Sequence, residues 1–107
     1  MHIGTTITPA KRRLLQVMQE VYFGRIDGLV VRDGEPIFDP APKVVREIKF
    51  GGDNGPKPII INRALFDKPQ IAELFEHLAQ ISEGVIQSLE VQRGLPFRMR
   101  IEESIGE

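Results

Sequence analysis

Three successive cations, Lys11, Arg12 and Arg13, fall in what reads as the first turn of a helix. Cations there oppose the helix macrodipole at about 0.3–1 kcal/mol each. A chain tuned only for stability would place acids in that turn. The run is therefore either a tolerated surface cost or a contact for an anionic partner, nucleic-acid phosphate included. Arg25 and Arg46 join it as the candidate anion or nucleic-acid contact set. Charge is unevenly spread: residues 1–68 carry +3 and residues 69–107 carry −4, for a net −1. Such asymmetry fits drift between two halves, a basic half that meets an anion, or head-to-tail contact between copies. Base-specific readout is not indicated, because Trp is absent and most aromatics fall at core-like positions.

The other chemistry-bearing residues give weaker signals. Glu73 and His77 lie four apart on a helical pattern and could share a metal, but no second pair stands at ligand spacing. Gly51-Gly52-Asp53-Asn54-Gly55-Pro56-Lys57-Pro58 is rich in glycine with one lysine, yet lacks the G-x-x-x-x-G-K-[ST] phosphate-loop spacing and reads as a linker. Asp33-Gly34-Glu35 offers carboxylates, but at a turn tip that water reaches and not in the pocket that general acid–base work needs. Cysteine is absent, so there is neither a disulfide framework nor a sulfur metal site. No nucleophile constellation stands out. We therefore expect no catalytic residue, no metal and no cofactor, and a chain that is not an enzyme.

These residues need positioning elements, and the pattern supplies them. Thr8-Pro9 reads as an N-cap followed by proline at the first helical position. Leu14, Val17, Met18, Val21 and Tyr22 recur at helical spacing, and Gly24 is placed to end the helix in a left-handed conformation, giving a helix over 9–23. Asp33-Gly34 between branched residues predicts a hairpin with strands near 28–32 and 35–39. Residues 44–50 read as a third strand, 51–58 as a linker, and Ile59-Ile60-Ile61 as a short strand or a buried plug. A second helix opens at Asp67 as N-cap, with Gln70 at capping-box spacing and Phe66 and Ile71 as a staple. Its stripe is Ile71, Leu74, Phe75, Leu78 and Ile81.

A gapless offset of sixty then decides how the second half is read. Residues 9–38 lie over 69–98 with 8 identities in 30 positions, among them Gly24/Gly84, Leu29/Leu89, Gly34/Gly94 and Pro36/Pro96. Ordinary composition would give roughly two. Read alone, residues 69–93 could be one long helix. The repeat instead ends that helix near Glu83 and makes 85–92 a strand, turning at Arg93-Gly94 into a returning strand with Phe97, Met99 and Ile101. The same offset matches Ile37 with Phe97. Pro36 then opposes Val31 and Pro96 opposes Val91, which places the two proline-bearing strands at the edges and the strands before them at the centre.

Residues 14–38, LLQVMQEVYFGRIDGLVVRDGEPIF, resemble the YezD-like family of very small bacterial proteins, which are little more than a helix, a glycine and an aspartate-glycine hairpin. The second copy matches through Gly84, Ile86, Leu89, Val91 and Gly94 but lacks the acidic turn residue. The family brings no activity and no catalytic residue. It implies that one unit is too small alone, and that a tandem pair resembles a fused pseudo-dimer.

The expectation is one α+β domain over residues 1–107. Two αββ repeats related by a pseudo-twofold form one antiparallel sheet covered by two helices, with an extra strand after the first repeat. No apolar run suits a membrane span or a signal peptide, so a soluble, cytoplasmic protein is expected, and the resemblance implies a bacterial one. The leading functional expectation is a non-catalytic protein-interaction or homo-oligomerising module: a homodimer burying Val30 and Ile37, with Phe97 beside them, or a contact with another protein. The alternatives are a nucleic-acid-associated regulator using the basic first half, and an enzyme with a site between the repeats.

Overall fold

The computed structural model describes residues 7–52 and 63–102. Helix α1, Pro9–Val21, starts as its sequence requires: Thr8 is extended, and its side chain accepts the Lys11 backbone N–H at 3.2 Å. The helix stops two residues before the expected end. Tyr22, at φ 60°, donates its N–H to the Met18 carbonyl and forms the cap. Gly24 does not cap the helix. It lies inside strand β1, Phe23–Arg32, at φ 153°, where a Cβ would sit 2.1 Å from the Val45 carbonyl oxygen. That glycine is needed for close approach of a neighbouring strand, not for a helix end.

β1 is longer than the predicted 28–32 because both its edges find partners. It turns through Asp33 and Gly34, both at positive φ, into β2, Glu35–Ile37, with Val31 opposite Pro36. The Asp39-Pro40-Ala41-Pro42 segment interrupts the edge, since proline has no N–H to pair. β3, Lys43–Arg46, then resumes pairing with Gly24–Asp27 of β1. The predicted strand over 44–50 ends early. The Glu47 N–H meets the Phe23 carbonyl at 2.8 Å, and β1 offers nothing beyond that point.

The second half begins with a short helix α2, Arg63–Phe66, followed by α3, Pro69–Ile81. Lys68, not Asp67, is the N-cap of α3. The residue before a proline is driven to extended backbone, and Pro69 favours the first helical position, so the boundary falls between them. Ser82, at φ 62°, caps the far end, whereas Gly84 opens a strand. Strand β4, Gly84–Gln92, turns through Arg93 and Gly94 at positive φ into β5, Leu95–Ile101, with Val91 opposite Pro96. The second half is thus a helix and a hairpin. The expected segment at 59–61 and most of the 51–58 linker lie outside the described residues.

The fold is α+β: an open five-stranded antiparallel sheet in the order β2-β1-β4-β5, with β3 also on β1. Since β4 runs along one edge of β1, β2 and β3 share the other end to end. Antiparallel β1 and β4 form the central seam, from Phe23↔Gln92 to Val31↔Gly84. The alternation breaks near the midpoint of both strands, beside Gly28 at φ 74° and with their mutual register unchanged, so the inward positions step by three from Ile26 to Leu29 and from Ile86 to Leu89. Leu14, Leu15 and Met18 of α1 and Ile71, Leu74 and Leu78 of α3 pack on these strand residues in one core. The helices therefore occupy one face of the sheet. α1 and α3 begin and end sixty residues apart, as do the two hairpin turns.

Candidate interaction surface

The cations of α1 have partners that sequence spacing does not show. Lys11 Nζ stands 3.5 Å from Glu35 Oε2 and 5.4 Å from the Phe75 ring centroid. Arg12 lies over Phe66 at 5.9 Å and Arg13 over Phe38 at 5.0 Å. Each such contact contributes about 0.5–1 kcal/mol where exposed. Glu35 also accepts from the Thr8 hydroxyl. The hairpin thereby brings to the helix N-terminus the acid that its first turn lacks, which offsets the dipole cost. Arg25 lies elsewhere. Its neighbour Ile26 points into the core, so Arg25 faces away from the helices, and its Nε bonds Asp27 Oδ2 at 2.9 Å. Arg46 ends β3 opposite Gly24. The five candidate cations are therefore divided: Lys11, Arg12 and Arg13 in the helix layer, Arg25 on the opposite sheet face and Arg46 at a strand end.

Glu73 and His77 line a cleft of about 310 Å³ between α3 and β5, with Leu74, Phe97 and Met99. Among the described residues no group of three or more His, Asp or Glu side chains is placed to hold a metal, and no polar side chain is fully buried. Asp33 and Gly34 form the β1–β2 turn, and Glu35 is engaged with α1, so the three do not form a carboxylate site. No helix among the described residues is long and apolar enough to cross a membrane.

The sheet face turned away from the helices carries two distinct rows, because residues directly opposite across a ladder share a face. Ile37, Val30 and Val85 form one row across β2, β1 and β4, through the pairs Val30↔Ile37 and Val30↔Val85. Val30 and Ile37 are half-buried and Val85 is 49% exposed. Arg98, Glu90, Arg25 and Val45 form the other row, across β5, β4, β1 and β3. Arg98 and Glu90 approach to 3.9 Å. Between the rows lie Asp27, Ser88 and Arg100.

Val30 and Ile37 are thus brought together as expected of neighbours across the hairpin, and Val85 is the residue sequence reasoning missed. Its signal was the alternation of β4, but its place beside Val30 depends on the β1–β4 register. The matching of Ile37 with Phe97 is corrected. A register shift between Glu90 and Val91 puts Arg98, not Phe97, opposite Glu90. Phe97 lies at that irregularity, 53% exposed, with the Arg98 guanidinium 5.2 Å from its ring centroid. Comparison with protein-family models, curated proteins and solved structures finds no match, and the functional reading rests on this geometry.

Proposed function

We propose that the chain is a non-catalytic, homo-oligomerising module whose contact surface is the sheet face opposite the helices. The observation that carries this reading is the apolar row Ile37–Val30–Val85, continuous across three strands, half-buried at Val30 and Ile37 and exposed at Val85. Four strand rows about 4.8 Å apart, over eight residues at about 3.3 Å, make a face of roughly 500 Å². A second copy suits this face. A twofold axis along the apolar row lays that row on itself and sends the Arg98–Glu90–Arg25 rows to opposite rims, so like charges do not meet. Phe97 lines the cleft beside α3 and is not part of this row.

Sedimentation equilibrium from low to high micromolar concentration tests the proposal. The expected result is a dimer that a Val30→Glu, Ile37→Lys double variant reduces to monomer while the fold survives. A wild type that stays monomeric throughout, or a dimer indifferent to the double change, would remove it.

A further inference from the structure

The central seam repeats its own contacts. Gly24 pairs with Val91 and Val31 with Gly84; Ile26 pairs with Leu89 and Leu29 with Ile86. At an offset of sixty, each is the same residue pair met twice, as in a twofold interface between identical subunits. The hairpin tips behave alike. The Gly34 N–H donates to the Ser82 carbonyl at 2.9 Å, and the Gly94 N–H to the Tyr22 carbonyl at 3.1 Å, so each tip caps the helix of the other half. A self-complementary seam carries a hazard: the first half of one chain could pair with the first half of another.

Between Gly24 and Val31 the halves differ at 25/85, 27/87, 28/88 and 30/90, and the first and last of these sites set the match. Where the first half has Arg25 the second has Val85, and where the first has Val30 the second has Glu90. In the observed seam Arg25 stands opposite Glu90 and Val30 opposite Val85, charge against opposite charge and apolar against apolar. A first-half pair would set Arg against Val twice. A second-half pair would set Val against Glu twice. Only the mixed combination matches at both sites. We infer that the seam selects its partner: Arg25, Val30, Val85 and Glu90 make the first half pair with a second half, in its own chain or in another copy, and reject a copy of itself. Specificity of this kind needs mismatches built against the wrong partner as well as fit to the right one.

The inference is independent of self-association through the open face, because it concerns stability within the seam. The test exchanges identities between halves at a protein concentration where sedimentation finds the chain monomeric. One variant carries Arg25→Val with Val30→Glu, a second carries Val85→Arg with Glu90→Val, and a third carries all four changes. Each two-site variant mismatches both pairs, and its folding equilibrium, from urea melts at unchanged slope, should weaken about 2- to 30-fold, the effect of two cross-strand pairs. The four-site variant restores both matches in exchanged positions and should recover stability, ending above both two-site variants, where additive losses would place it below both. Contacts within one half, such as Arg25 with Asp27 or Glu90 with Arg98, are lost additively and cannot produce that recovery. If a two-site variant fails to fold, recovery of folding in the four-site variant supports the inference equally. Additive losses, or a four-site variant that fails to recover, would overturn it.

Discussion

Gly24 and Gly84 occupy the same place in the sixty-residue offset, yet replacing each by alanine should have unequal consequences. At Gly24 an added Cβ would lie 2.1 Å from the Val45 carbonyl oxygen and 2.9 Å from Val21 Cγ1, on a backbone at φ 153°. The backbone conformation alone costs an L-residue about 1–3 kcal/mol. Relief of the clash requires β3 to move off β1, which weakens the pairs Gly24↔Arg46 and Arg25↔Val45. A total near 3 kcal/mol is expected, a fall in Tm of about 15 °C for a domain of this size. At Gly84 the only atom within 3.4 Å is Ile81 Cγ2 at 3.2 Å, a side-chain methyl, and φ is unexceptional. The entropy gained by restricting the unfolded chain, about 0.4–1 kcal/mol, offsets that contact, so Gly84→Ala should stay within about 1 kcal/mol of wild type. Urea and thermal melts of both variants give the comparison. Equal losses, or a loss below about 1 kcal/mol at Gly24, would show that β3 does not hold that glycine in place.

Three further outcomes follow from the helix ends and the hairpin tip. Lys68 caps α3 without a side-chain hydrogen bond, so Lys68→Asp should stabilise by about 0.5–1 kcal/mol, whereas Thr8→Ala should cost α1 about 1 kcal/mol; melts that reverse either sign would undo the cap assignments. Gln19 Nε2 donates to the Gly94 carbonyl at 3.0 Å, joining α1 to the second hairpin, so Gln19→Ala should cost about 1 kcal/mol and raise amide exchange near Arg93 and Gly94; unchanged exchange there would mean the bond does not persist in solution.

Local signals in the sequence carried much of this fold. Thr8-Pro9, the two helical stripes and Asp33-Gly34 each reflect backbone chemistry within a few residues, and the offset of sixty carried that reading into the second half to separate α3 from β4. What they could not convey depends on partners far along the chain. β1 extends to Phe23 because β3 and β4 both pair with it, and β3 stops at Arg46 because β1 runs out. Gly24 looks like a helix stop until the Val45 carbonyl is placed above it. The cations of α1 look misplaced until Phe38, Phe66, Phe75 and Glu35 arrive from three other elements and a loop. The irregularity at Phe97 shifts a register by one residue, which no spacing in a single sequence records. Val85 belongs to the apolar row only through the central seam, so that row was half legible.

The most direct measurement of the proposed role is a dilution series followed by methyl NMR on the wild-type chain. The face opposite the helices is predicted to move alone: signals of Val30, Ile37 and Val85 should shift together with concentration, while the core methyls of Leu14, Leu74 and Leu78 stay fixed. Spectra independent of concentration, or shifts confined to the cleft around Phe97 and Met99, would contradict self-association through that face.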